Sequence, residues 1–236
     1  MRFHIITIFP DIFDSYMNES IIGRALKNKI ISVNFYNPRD SVKVSKSNYK
    51  PVDDKPYGGG AGMVMRAEPI LKTFLKVEKK IKSKKTKVVI FSAKGKLFNQ
   101  KMAYDWAQKY KEIVFITGRY EGIDERVKTA LKAEEISIGQ YVLTDGDIAA
   151  MVVASAVTRL IPGVIRLESL KEESYWNLLL KKEKDGTVPG GHGLEHPHYT
   201  RPEVLKYKGK NYRVPKVLLS GHRAKIDEWK KRNNIF

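Results

Sequence analysis

Cysteine is absent from the 236 residues, which removes a disulfide scaffold, a Cys-based zinc site, an iron–sulfur cluster and thiol catalysis together. Long apolar runs are missing too. The longest stretch, residues 148–157, is about half of the roughly 20 residues that a membrane span needs. Met1-Arg2-Phe3-His4 leads straight into an apolar strand, without the basic, apolar and small-residue succession of a secretory leader. These absences predict a cytoplasmic protein with no membrane association. Acidic residues are scarce beside basic ones, 26 Asp and Glu against 44 Lys and Arg, for a net charge of +18.

That imbalance suits a polyanionic partner, because neutralising phosphates releases counterions and drives association. A general lysine bias that only keeps the protein soluble is the competing explanation. The position of the charge bears on the choice. Residues 200–236 hold eleven Lys and Arg against three acids, interleaved with Tyr207, Tyr212 and Trp229, which reads as a docking surface. Residues 72–87 hold eight lysines and one acid, Glu78, and read instead as the solvated outer face and end of a helix. With 42% apolar residues the chain can bury a proper core.

Apolar patterning predicts strands at residues 3–9, 31–36, 87–91, 112–116 and 134–138. It predicts helices at 21–29, 67–77, 99–110, 124–131, 147–160 and 224–233, with Asp11 capping a first helical stretch. Residues 37–56 read as a loop marked by Pro38, Pro51 and Pro56. Alternating strands and helices argue for an α/β fold with a mainly parallel sheet covered on both faces. The pattern weakens beyond Pro162-Gly163. The expected organisation is an α/β domain at 1–165, a linker at 166–193 and a small basic, helical C-terminal domain at 194–236.

Several chemistries fail on inspection. Gly58-Gly59-Gly60-Ala61-Gly62 is not a dinucleotide fingerprint, because Met63 takes the last glycine position and no apolar strand precedes it. No P-loop and no GxSxG elbow occur. His192, His196 and His198 are close in sequence, but Pro197 interrupts them and no helix aligns a pair, so they read as polar loop residues and no metal ligands are assigned. What remains is a set of three glycine-bearing segments at predicted strand ends: Ser92-Ala93-Lys94-Gly95, residues 117–124 and residues 138–147. Open α/β sheets bind ligands at such ends.

Asp54-Lys55-Pro56-Tyr57-Gly58-Gly59-Gly60-Ala61-Gly62-Met63 and Gly118-Arg119-Tyr120-Glu121-Gly122-Ile123-Asp124-Glu125-Arg126 resemble two signatures of the bacterial tRNA (guanine-37-N1)-methyltransferases. Further matches are Ser137-Ile138-Gly139 through Gly146, Arg159-Leu160-Ile161-Pro162-Gly163-Val164, His198-Tyr199-Thr200-Arg201-Pro202 and Val214-Pro215-Lys216-Val217-Leu218-Leu219-Ser220-Gly221. The resemblance implies a SPOUT-type fold with a trefoil knot in the C-terminal half of the α/β domain. It implies S-adenosylmethionine as cofactor, magnesium assistance, and a homodimer whose active site is shared between subunits. The cofactor pocket it assigns is Ile90, Ser92, Gly95, Gly118, Glu121, Ile138, Gly139, Tyr141, Leu143 and Gly146. Backbone groups of Ile138, Gly139, Tyr141 and Leu143 would hold the adenine. Tyr57, Gly58, Gly59, Arg201 and Lys216 are assigned to the tRNA substrate, which carries guanosine at position 37.

Neutral guanine carries a proton on N1, so methylation there needs a base, and charge growing on O6 needs a cation. The family's base is an Asp followed by Ser and an aromatic residue. Here the matching run is Glu172-Glu173-Ser174-Tyr175, which gives the base position to Glu173, with Glu172 as a substitute. Arg159 matches the arginine that faces O6. The family has paired glycines where this chain has Asp145-Gly146, so the extra side chain either crowds the cofactor loop or contacts the methionine amine. Two rivals stay open: a SPOUT methyltransferase acting on ribosomal RNA, and an RNA-binding protein that has lost catalysis.

Overall fold

The structure is a computed structural model that describes residues 1–44, 50–171 and 196–233. The chain divides into two compact units, Met1–Arg166 and Leu167–Phe236.

The first unit is built on a five-stranded sheet of β1 (Arg2–Ile6), β2 (Ser32–Tyr36), β5 (Thr86–Leu97), β6 (Glu112–Ile116) and β7 (Glu134–Ser137). Its order is β2-β1-β6-β5-β7 and every pairing is parallel. All five residues of β6 are buried, as a strand covered on both faces requires. Around it Phe3 stacks on Phe115 at 5.7 Å between ring centres, and Phe91 meets Phe115 at 5.3 Å. The helices are α1 (Asp14–Met17), α2 (Ser20–Lys27), α3 (Ala67–Glu78), α4 (Gln100–Lys109), α5 (Glu125–Leu131) and α6 (Asp147–Thr158). Asn99 and Asp124 cap α4 and α5 by accepting the Met102 and Arg126 amides. Two short strands, β3 (Asp53–Asp54) and β4 (Val64–Met65), pair antiparallel on either side of the glycine-rich loop.

Three local expectations are corrected. Asp11 is no side-chain cap: a 3-10 turn at Pro10–Phe13 begins after Phe9 without one, and Pro10, having no N–H, leaves one donor fewer to satisfy in the first turn. Ser92–Gly95 is not a loop beyond the strand. β5 continues to Leu97, leaving β7 after Phe91 and rejoining it at Lys96 with a shifted register. Within 37–56, a 3-10 turn at Pro38–Ser41 and β3 interrupt the loop.

The amino-terminal edge of the sheet buries one charged network. Glu112 accepts from Arg2 at 2.8 Å, from His4 Nε2 at 2.9 Å and from the Lys82 amide at 2.8 Å, while His4 Nδ1 meets the Tyr36 hydroxyl at 3.1 Å. Burial pushes the Glu112 carboxyl up, but the hydrogen bonds from Arg2, His4 and Lys82 outweigh it and hold its pKa at about 2.

The second unit contains α7 (Leu167–Lys171), a hairpin of β8 (Val204–Tyr207) and β9 (Lys210–Arg213), then α8 (Lys216–Leu219) and α9 (Arg223–Asn233). The module is therefore not purely helical, as its residue pattern implied. Lys208 and Gly209 both have positive φ, 48° and 74°, which matches the turn to the twist of the two strands.

Candidate functional site

Because β6, β5 and β7 are parallel neighbours, the segments that follow β6 and β7 emerge on either side of the displaced middle of β5. The three segments enclose a cavity of about 450 Å³. Nine of the ten residues singled out for the cofactor line it: Ile90, Ser92, Gly118, Glu121, Ile138, Gly139, Tyr141, Leu143 and Gly146. Gly95 does not. It stands in the wall behind, where an added Cβ would lie 2.6 Å from the backbone of Ile136.

Close backbone approach shapes the other walls as well. The Gly146 amide donates to the Gly118 carbonyl at 2.8 Å, and a Cβ on Gly146 would sit 2.9 Å from the Gly118 nitrogen. The Tyr141 ring lies over Gly139, and its hydroxyl donates to the Ile138 carbonyl at 3.2 Å. Among the described residues, the backbone groups of Tyr141 and Leu143 make no hydrogen bond. The glycine-rich loop is tied to the cavity rim from outside. The Glu121 amide donates to the Met63 carbonyl at 2.9 Å, and the Met65 amide to the Gly122 carbonyl at 2.9 Å. The Glu121 side chain packs over Gly62, whose φ of 79° and missing Cβ both suit glycine.

Charged groups that composition did not single out complete the rim. Lys94, Lys128, Glu125 and Glu135 form a connected set, with Lys128 2.8 Å from Glu135 and 3.0 Å from Glu125, and Lys94 3.3 Å from Glu125. Hydrogen bonds donated to Glu135 and Glu125 hold the Lys128 ammonium above its usual range. Burial raises the Glu135 carboxyl, yet its bonds to Lys128 and Ser92 bring it below the ordinary carboxylate value. This set joins β5, α5 and β7 across the cavity mouth. Its signal in the sequence was only four charges spread over some forty positions, with nothing to pair them.

The family described as tRNA (Guanine-1)-methyltransferase TrmD matches residues 1–236. The chain belongs to that family. A tRNA (guanine-N(1)-)-methyltransferase of Clostridioides difficile (strain 630) is 44% identical over 236 residues, which cover 100% of this chain and 93% of that protein. The protein of the same name from Buchnera aphidicola subsp. Acyrthosiphon pisum (strain APS) is 45% identical over 235 residues, covering 99% and 89%. That of Carboxydothermus hydrogenoformans (strain ATCC BAA-161 / DSM 6008 / Z-2901) is 44% identical over 237 residues, covering 100% and 83%.

The remaining candidates for the chemistry of a tRNA (guanine-1)-methyltransferase lie on other segments of the chain. Glu173 and Glu172 lie outside the described residues. Arg159 is the half-buried residue that ends α6 and does not line the cavity. It stands at the far end of a 12-residue helix from Gly146, roughly 18 Å away along the axis. Tyr57, Gly58 and Gly59 form the exposed tip of the glycine-rich loop, Tyr57 being 99% exposed. Arg201 and Lys216 are exposed on the second unit. Among the described residues no helix is long and apolar enough to cross a membrane.

Proposed function

We propose that this chain transfers a methyl group from S-adenosylmethionine to N1 of guanosine 37 in tRNA, next to the anticodon. The observation that carries the reading is the meeting of three separate glycine-bearing segments on one cavity in a chain of this family. A cavity of about 450 Å³ is of the size that takes a cofactor. The open backbone groups of Tyr141 and Leu143 give an adenine edge donors and acceptors, with Ile138 and Gly139 beside them. The bound cofactor supplies an electrophilic methyl group. The chain's own residues supply the rest. Glu173, or Glu172 beside it, takes the N1 proton, and Arg159 balances the charge that develops on O6. Magnesium, expected from the family alone, has no cluster of three or more ligands among the described residues.

The active site is shared in a homodimer. Arg159 is remote from its own cavity, and the exposed Ile148 and Val152 share α6 with Ser155, to which the Tyr16 hydroxyl donates at 2.7 Å. With Ile12 and Phe9 these make an exposed apolar face suited to burial against a second copy. A trefoil knot in the C-terminal half of the α/β domain belongs to the same reading, and the close backbone approach of Gly146 to Gly118 supports it. In the basic C-terminal unit, Lys206, Lys208, Lys210 and Arg213 of the hairpin are exposed and suit RNA phosphates. The expected setting is the bacterial cytoplasm, where tRNA is modified.

The test is methyl transfer to an unmodified tRNA transcript with guanosine at 36 and 37, beside a matched transcript with adenosine at 37. Because an N1 methyl blocks the Watson–Crick edge, primer extension stops next to position 37 in the guanosine transcript alone. Transfer to neither, with the cofactor bound, moves the reading to another RNA. Failure to bind the cofactor moves it to an RNA-binding protein without catalysis. Near-parent turnover in Glu173→Gln across pH removes Glu173 as the base.

A further inference from the structure

The cavity wall at 138–146 is secured chiefly at its two ends. At its start, the Ser137 hydroxyl donates to the Gly139 carbonyl at 2.8 Å and accepts the Gly139 amide at 3.3 Å. Its middle is exposed, Val142 to 86%, and the backbone there is not tied to the sheet among the described residues. Its far end carries Asp145, which neither crowds the cavity loop nor turns outward. One carboxylate oxygen accepts the Asp147 amide at 2.9 Å and the Ile148 amide at 3.2 Å, closing the first turn of α6. The other accepts the Thr144 hydroxyl at 3.0 Å and lies 3.5 Å from Arg119.

Arg119 belongs to the adjacent wall and is held on three sides. Its guanidinium is 3.0 Å from the fully buried Asp147, faces Asp145, and stacks over the Phe9 ring at 4.4 Å. Among the described residues no other cation pairs with Asp147, and its second carboxylate oxygen is buried without a partner. The charge on Arg119 therefore compensates Asp147, and the same contact fixes one wall to the other.

We infer that Arg119, Asp145 and Asp147 form a clasp that fixes the 138–146 wall before the cofactor arrives, with Asp145 as a positioning residue. The inference rests on the proposed cofactor reading, since a wall held in its bound shape loses less freedom on binding. Asp145 needs no positive φ, so an acid is accommodated there without backbone strain.

The test compares the parent with Asp145→Gly and Asp145→Asn in the full chain. Amide hydrogen exchange is followed on the cofactor-free proteins, and S-adenosylmethionine binding by calorimetry. Asp145→Gly is expected to speed exchange in 138–147 by about tenfold while β6 keeps its protection. It is expected to weaken cofactor binding by about five- to twentyfold. Asp145→Asn keeps an acceptor for the α6 amides and is expected to recover most of both. The clasp is overturned if Asp145→Gly changes neither quantity by more than about twofold, or if exchange rises equally across the sheet, which is a loss of stability alone. A parent protein that fails to bind the cofactor overturns the cofactor reading, and the exchange comparison still decides the clasp.

Discussion

Replacing Gly95 by alanine separates a packing role from a ligand role for this residue. The added Cβ would lie 2.6 Å from the Ile136 nitrogen and carbonyl carbon and 2.7 Å from the Glu135 carbonyl carbon, all of them backbone atoms. Ordinary contact begins at 3.4 Å, so β5 and β7 must part, and no rotamer change relieves the overlap. The pairings that go first are Lys96 with Ile136 and Leu97 with Ser137. Overpacking costs roughly 1–3 kcal/mol, and each ladder bond that follows costs about 1 kcal/mol. A total of about 3 kcal/mol lowers Tm by roughly 6–12 °C for a unit of this size. Calorimetric melting of the cofactor-free protein is the assay. A Tm within about 2 °C of the parent, together with weakened cofactor binding, refutes the packing argument and gives Gly95 back to the ligand.

Gly139→Ala is the counterpart. Its Cβ overlaps the ring of Tyr141, a side chain 55% exposed that can swing into solvent. Cofactor affinity is expected to fall several-fold by titration calorimetry while Tm moves by less than about 3 °C. Glu112 governs acid stability. Its folded pKa of about 2 lies below the ordinary 4.5, so its contribution is complete above pH 4.5 and is lost as pH falls toward 2. Allowing for screening through the solvent-facing Arg2, that contribution is about 2 kcal/mol. Urea unfolding at pH 7, 4 and 3 is expected to show this decline in the parent and a flatter profile in Glu112→Gln.

How much of this was legible in the sequence depended on whether the controlling contact was local. β6 occupies the residues that its apolar run marked out, 112–116, because burial on both faces leaves a continuous signal. The helices fall within a few residues of their periodic patterns for the same reason. The cavity segments after β6 and β7 were legible as strand ends, since parallel strands deliver their carboxyl ends to one edge. What no local pattern carries is strand order, and it is the placing of β5 between β6 and β7 that brings those segments together. The continuation of β5 through Ser92-Ala93-Lys94-Gly95 was missed because polar residues around a glycine read as loop. The glycine is instead where two backbones touch. The 204–213 hairpin was missed because its turn is Lys208-Gly209, and lysine is an uncommon residue at positive φ.

Asp145 shows the same limit at a single position. Against a family pattern of paired glycines the sequence offered two readings, a crowded loop or a contact with the ligand, and both assumed that its side chain points into the cavity. Two local contacts give the side chain another role. The α6 amides of Asp147 and Ile148 need an acceptor, and a carboxylate two to three residues earlier is within reach of both. Arg119 arrives from a segment 26 residues away and adds charge on the other oxygen. A glycine at 145 leaves those amides without this acceptor and Arg119 with Asp147 alone. The departure therefore adds an anchor at the end of the wall, its carboxylate tied down where Asp145 lines the cavity.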